Sequence, residues 1–402
     1  MLPWAEYIKN MDVESVTLMA SIFPPFPEDE IDLSGGSEIA SDIFVKELME
    51  QGIHVDVISL DYIKPVSTSQ RYITRIDNYY PYLLMDPKSS QVIFAYKELF
   101  RPLIFLKIIS HLIKNKPDIV IIGKTYQFSL APMIAARFLR IPYIMRYDWL
   151  CPTNPKPELC TLKDRFHCAD CIQQITGKSI PKVGKIFAGF YFVPMAILKR
   201  FLWNQAEKVL AVSPFHKLLI KSFGIREDII TILPNIVPVK SNEKNVEKLK
   251  RKYDTDGFVT LLYVGRLEPE KGIEILIDAF NQVRPRQKIK LLIAGAGRLS
   301  DTVNKISNED KDIIFLGRVP HDELGNYYAL SDIVIIPSIV PEGHPVVAEE
   351  AMSLGKTIMG FDIGGLKKIF EEYPNSVGIK EMNSKSLSKA ISEFIEKRCS
   401  HN

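Results

Sequence analysis

Short continuous apolar runs alternate with stretches whose apolar positions recur every three to four residues, and that rhythm covers most of the chain. Ser15 to Ala20 reads as a buried strand, followed by a Pro-rich and acidic loop from Pro24 to Asp32. Ser34-Gly35-Gly36-Ser37-Glu38 then opens an amphipathic helix whose positions Ile39, Ile43, Phe44 and Leu48 keep helical spacing until Gly52. Ile53 to Leu60 is the next strand. Residues 61–99 break the rhythm and are dense in aromatics, among them Tyr62, Tyr72, Tyr79, Tyr80 and Tyr82, which predicts an insertion or lid. Alternation resumes with a helix from Glu98 to Lys114, a strand from Asp118 to Gly123, a helix from Phe128 to Leu139 and a strand from Tyr143 to Tyr147. A helix through Ile197 to Ala206 leads to the strand Lys208 to Val212. The next helix starts at Ser213-Pro214, with Ser as cap and Pro at the first position.

After Leu233-Pro234-Asn235 and a polar run from Lys240 to Lys252, a second alternating series begins. Its expected strands are Phe258 to Gly265, Ile289 to Ala294, Ile313 to Leu316, Ile333 to Ile336 and Thr357 to Phe361. Its helices are Gly272 to Val283, Leu299 to Ile306, Asp322 to Leu330, Val346 to Leu354 and Leu366 to Phe370. Continuous apolar strands separated by helices imply parallel sheets covered on both faces. The expected architecture is α/β: two Rossmann-like doubly wound domains, 1–238 and 239–402, facing a central crevice. Their length agrees, since 402 residues exceed what one core organises.

Composition narrows the class. With 46% hydrophobic and 25% charged residues the chain is globular, and a formal net charge of +3 argues against a dedicated nucleic-acid binder. Met1-Leu2-Pro3-Trp4 does not open a signal peptide, and no apolar run reaches the length of a membrane span, so a cytoplasmic location is expected. Two local biases qualify that expectation. Cys151, Cys160, Cys168 and Cys171 fall in one segment, 151–171, that ends in C-x-x-C; they are either a structural zinc site, a conditional disulfide, or reduced thiols. Between Asp170 and Glu207 there is no acid, while Lys178, Lys182, Lys185, Lys199 and Arg200 alternate with aromatics such as Phe187, Phe190, Tyr191 and Trp203. That pattern suits peripheral contact with an anionic membrane at its inner face, or else a helix whose apolar side is core.

The candidate chemistry lies in the second domain. The strand ending at Ile336 runs through Pro337-Ser338 into the turn Pro341-Glu342-Gly343-His344-Pro345, then into a helix from Val346. The free N–H groups of a helix N-terminus beyond a strand end favour an anion. Glu342 and Glu350, eight residues apart, repel a phosphate but accept from hydroxyl groups. A ligand with phosphates and many hydroxyls is a nucleotide sugar; the bland alternative is a loop acid and a solvated helix acid. After the first strand of this domain, Gly265-Arg266 and Glu270-Lys271-Gly272 place an Arg and a Lys where both can meet a diphosphate.

Taken in order, Gly265-Arg266, Glu270-Lys271-Gly272, Ile293-Ala294-Gly295-Ala296-Gly297, Pro337-Ser338, Glu342, Glu350-Ala351-Met352 and Gly364-Gly365 resemble the retaining glycosyltransferases of family 4, which have the GT-B fold. The resemblance is strongest over 258–369 and weaker at Gly35-Gly36 and Ser213. It implies metal-independent transfer of a hexose-like sugar from a nucleotide diphosphate sugar to a glycan, lipid-linked or polymeric acceptor, with retention. By that resemblance Arg266 and Lys271 hold the diphosphate, Glu342 contacts the donor sugar and Glu350 accepts from the ribose. Backbone groups of Gly35, Gly36, Gly343, Val346 and Val347 surround phosphate and sugar.

The chain departs from that family in three places. Counting from Ile141-Pro142 puts Asp148 where members commonly carry His, with Tyr147 as the alternative after an alignment shift. Lys368 stands where a Glu often follows the late Gly-Gly, and its side chain is expected in solvent. Pro345 has no N–H to offer a phosphate, which leaves Val346 and Val347. His344 is either a sugar or phosphate contact or a packing residue. Gly295-Ala296-Gly297 also resembles a dinucleotide fingerprint, which would suit an NAD-dependent oxidoreductase. The third Gly is absent and the motif follows the domain's second strand, so Gly265, Gly295 and Gly297 are assigned to the donor. A non-catalytic nucleotide-sugar binder is the other alternative, prompted by Asp148 and Lys368.

Overall fold

The computed structural model describes residues 3–20, 36–60, 73–76, 102–123, 130–147, 197–234 and 238–399. The chain divides into two compact units, Met1–Asn235 and Ile236–Asn402.

In the first unit, seven parallel strands lie in the order β3-β2-β1-β4-β5-β6-β7. They are β1 (Ser15–Met19), β2 (His54–Leu60), β3 (Ile73–Ile76), β4 (Ile119–Ile122), β5 (Tyr143–Tyr147), β6 (Lys208–Ala211) and β7 (Ile230–Ile232). Alternate residues of each strand feed different cores, as the pleat requires. On β4, Ile119 and Ile121 pack with Trp4, Ile8 and Phe44, whereas Val120 and Ile122 pack with Ile108, Leu112 and Met145. Helices therefore cover both faces, and the strands have no polar side.

Ser213 caps the helix Pro214–Ser222 as its sequence predicts, its hydroxyl accepting from the His216 N–H at 3.1 Å. The stretch 61–99 is not wholly an insertion, because β3 within it joins β2 in parallel through pairs such as Val57 with Ile73. Four residues are too few for periodicity to register. The helix Pro3–Lys9 is also absent from the sequence expectations; Trp4 and Ile8 anchor it in the core, with the Trp4 ring 4.7 Å from that of Phe44. The four cysteines and the Lys178 to Lys185 segment lie outside the described residues.

The second unit carries six parallel strands in the order β10-β9-β8-β11-β12-β13. These are β8 (Val259–Val264), β9 (Ile289–Ala294), β10 (Ile313–Gly317), β11 (Ile333–Ile336), β12 (Thr357–Phe361) and β13 (Ser376–Ile379). The same alternation holds: Leu261, Leu291 and Ile333 enter one core with Phe280 and Leu387, and Leu262, Leu292 and Val334 enter the other with Tyr328 and Ala351. After β8 the sheet grows outward to β10, and the chain then returns to lay β11 on the other side of β8, in register Ile333 with Leu261. That reversal opens a gap at the carboxyl ends of β8 and β11, the position where doubly wound sheets bind ligands. β13 and the helix Ser384–Cys399 complete the unit beyond the last element expected from the sequence.

Candidate functional site

Loops from the carboxyl ends of β8, β9, β10, β11 and β12 are tied to one another at this reversal point. Gly272 makes the first tie. It turns left-handed at φ +72°, and a Cβ there would stand 1.9 Å from the Pro337 carbonyl oxygen, so only glycine lets the β8 and β11 loops touch. The Ile339 N–H donates to the Glu270 carbonyl at 3.0 Å beside it. In the same way a Cβ on Gly295 would stand 1.8 Å from the Gly265 carbonyl oxygen, and one on Gly297 2.5 Å from that of Leu267. The Leu267 N–H donates to Ala296 at 2.9 Å, and the Gly295 N–H to Gly317 at 2.7 Å. The backbone that Gly295 and Gly297 admit is thus the β8 loop's own. Gly364 and Gly365 press on Glu342 and Gly343, with the Gly365 N–H donating to the Glu342 carbonyl at 2.7 Å.

These ties set the side chains. Lys271 ends a turn of 3-10 helix, Pro269–Lys271, and its Nζ lies 3.0 Å from Glu342 Oε1. The two side chains are 20% and 17% exposed, so the pair is screened from most water yet reachable from the gap. The Ser338 hydroxyl donates to the same Glu342 oxygen. Burial pushes the Glu342 carboxyl up, but Lys271, the Ser338 hydroxyl and the nearby Arg266 together hold it below the ordinary carboxylate range. Arg266 is exposed, and its carbonyl accepts from the Tyr263 hydroxyl at 2.6 Å, which pins the start of the loop. Burial raises the Tyr263 hydroxyl well above its usual value, so it remains a donor. The loop's two acids face elsewhere. Arg298 pairs with Glu268 and stands 3.6 Å from Glu270.

The helix Val346–Ser353 begins after Pro345, and its first backbone bond runs from the Ala348 N–H to the Pro345 carbonyl at 3.0 Å. The N–H groups of Val346 and Val347 precede that bond, at the positive end of the helix. His344 lies within 2.8 Å of Glu349 Oε1 and is only 8% exposed. Glu350 is buried at 3% exposure; its Oε1 meets His321 Nε2 at 2.8 Å and its Oε2 accepts from the Tyr328 hydroxyl at 2.5 Å. Lys368 is exposed and pairs with Glu372 at 3.4 Å, away from this chemistry.

The structure thus brings together Lys271, Glu342 and the loops bearing Gly265, Arg266, Gly295, Gly297 and Gly343. Gly36 starts the helix Gly36–Glu50 in the first unit and Tyr147 ends β5, whereas Gly35 and Asp148 fall outside the described residues. Sequence reasoning did not find His321 or Tyr328, whose roles come from contacts between separate elements, and it quoted Ser338 within the motif Pro337-Ser338 without assigning its hydroxyl to Glu342. It also passed over Asp362, at the end of β12, whose buried Oδ1 has no hydrogen-bond partner in the structure. Among the described residues no group of three or more His, Cys, Asp or Glu could hold a metal, and no helix is long and apolar enough to cross a membrane.

A family model described as Glycosyltransferase Family 4 matches residues 34–241, and one described as Glycosyl transferases group 1 matches residues 245–402. An uncharacterized glycosyltransferase of Methanocaldococcus jannaschii is 33% identical over 138 residues, 34% of this chain and 35% of that protein. A lipopolysaccharide 1,2-N-acetylglucosaminetransferase of Salmonella typhimurium is 30% identical over 186 residues, 43% of this chain and 49% of that protein. The matches span about a third to a half of the length of these curated relatives. Anabaena HepE, solved in complex with UDP, superposes with a TM-score of 0.62 at 18% identity, covering 96% of this chain and 90% of that one. That likeness shows the fold, GT-B.

Proposed function

Because the chain belongs to Glycosyltransferase Family 4, whose model matches residues 34–241 of its 402, we propose that it transfers a hexose-like sugar, with retention, from a nucleotide diphosphate sugar to a hydroxyl of a saccharide, lipid-linked or polymeric acceptor. The observation that carries this reading is the convergence of Lys271, Arg266 and Glu342 at the reversal point of the second sheet, beside the N-terminus of the helix Val346–Ser353. Lys271 and Arg266 receive the diphosphate. Glu342, released from Lys271 when phosphate arrives, accepts from a hydroxyl of the donor sugar, and Glu350 accepts from the ribose.

The chemistry follows from charge. Breaking the bond between anomeric carbon and phosphate oxygen builds negative charge on the departing diphosphate. Two cations and the helix N-terminus aimed at that charge stabilise the transition state more than the ground state. In this reading the groups that meet the leaving charge are the protein's own, so activity is expected to persist with a chelator present. The relative bound to UDP supports a nucleotide donor; the named activity of the Salmonella relative supports a glycan acceptor.

Incubation with UDP-glucose, UDP-N-acetylglucosamine and GDP-mannose tests the reading, followed by the release of nucleoside diphosphate with and without saccharide acceptors. Donor-dependent release and transfer with an unchanged anomeric configuration support it. Binding without turnover for every donor and acceptor favours the non-catalytic alternative, and tight NAD binding the oxidoreductase.

A further inference from the structure

Glu350 is assigned to the donor's ribose, yet both its oxygens already have partners within the protein. The helix His321–Leu330 supplies both: His321 at its first position and Tyr328 seven residues on, about two turns along the same face. The His321 Nε2–H donates to Oε1 at 2.8 Å and the Tyr328 hydroxyl to Oε2 at 2.5 Å. One helix therefore grips the carboxylate of another from both sides. Tyr328 is fully buried, and its hydroxyl is held far above its usual pKa by that burial, so it donates at every working pH. His321 keeps 20% of its side chain exposed, against 4% for Glu350, so the grip is closed on the Tyr328 side and reaches solvent on the His321 side.

A carboxylate has about four lone-pair sites, and the two protein donors use two of them. A free carboxylate on a helix rotates about its last bond and can follow whatever hydroxyls are offered. Clamped at both oxygens, it presents its two remaining lone-pair sites in one orientation, which suits a rigid vicinal diol.

We propose that His321 is a positioning residue for the nucleoside, holding Glu350 with Tyr328 so that the carboxylate selects a ribose over a 2′-deoxyribose. The inference rests on the nucleotide-sugar reading above. Selection arises because a fixed buried acceptor that loses its hydroxyl partner stays unpaired, whereas a mobile one turns to another partner. His321 touches no reacting atom in this scheme. It acts on the donor only through Glu350.

Calorimetric titration of the full chain with UDP, ADP and GDP, each beside its 2′-deoxy analogue, tests this. For the ribonucleotide that binds, wild type is expected to bind the deoxy form at least about tenfold more weakly. His321→Ala should bring that ratio to within about threefold of unity, and His321→Gln, whose amide nitrogen stands where Nε2 does, should retain most of it. If His321→Ala fails to fold, His321→Asn, one methylene shorter than Gln, takes its place in the same comparison. An equal loss of affinity for both members of a pair means a merely structural role and overturns the inference; so does an unchanged ratio. If wild type binds none of the three ribonucleotides, the nucleotide-sugar reading falls and this inference with it.

Discussion

Lys271 and Glu342 meet at 3.0 Å although seventy residues of chain and six elements of sheet and helix separate their loops. Each neutralises the other while no ligand is bound. In the proposed reaction a diphosphate competes for Lys271 and sets Glu342 free for a hydroxyl. Lys271→Ala should lower turnover by about 10²-fold or more, the scale of losing one preorganised donor to a developing anion. It should destabilise the fold by roughly 1–3 kcal/mol, because Glu342 keeps its burial and loses its cation. The double variant Lys271→Met with Glu342→Gln should regain stability but no activity. Urea unfolding and donor turnover, measured side by side, check both halves.

The depressed pKa of Glu342 has a consequence for acid stability. A carboxyl whose folded pKa lies below its unfolded value stabilises the fold above the ordinary range, near 4.5, and loses that contribution as pH falls through the folded pKa. Wild type should therefore exceed Glu342→Gln in unfolding midpoint at about pH 7, and the two curves should approach each other as pH falls below the ordinary carboxylate range and through the depressed folded pKa. A difference that widened towards acid would contradict the ion pair.

Gly295 and Gly355 both have positive φ, +145° and +67°, but only Gly295 faces backbone at 1.8 Å. Gly355→Ala should cost about 1 kcal/mol, the strain of a left-handed alanine. Gly295→Ala should cost roughly 2–4 kcal/mol and impair donor binding, since the β8 and β9 loops must part. Thermal unfolding of the two variants makes the comparison, and equal losses would remove the argument from close approach.

In the first unit, Ser213→Ala deletes the hydroxyl that accepts from His216. A loss of about 1 kcal/mol is expected, with Ser213→Asp close to wild type. Hydrogen exchange should show the change in the helix Pro214–Ser222.

Much of this was legible in the sequence because the signals are local. Strands buried on both faces leave continuous apolar runs, so most of β1 to β12 and their helices could be read from Ser15 to Phe361 without knowing what packs on what. Gly272, Lys271 and Glu342 were visible because a strand-to-helix turn carries its own residue types. The omissions have the opposite character. Four residues of β3 cannot show a period, and Ile73 is a strand residue only because Val57 is beside it. His321 and Tyr328 look like an ordinary helix start and an ordinary core aromatic until a second helix brings Glu350 between them. Gly295 reads as a ligand-facing glycine in sequence, whereas in space its neighbour is Gly265.

The reversal of strand order also fixes when the site can come into being. β8 and β11 are neighbours in the sheet, yet β9, β10 and their helices are made between them, so the gap where Lys271 faces Glu342 is closed by contacts of long sequence separation. Such contacts form late, after the entropy of closing the intervening chain has been met. A growing polypeptide that has emerged only as far as Ala294 has Arg266 and Lys271 but no acid opposite them, and until Gly365 follows, the Glu342 turn lacks its support. During synthesis the cationic half of the site exists before its partner, and the pairing of Lys271 with Glu342 records that β11 has come to lie beside β8.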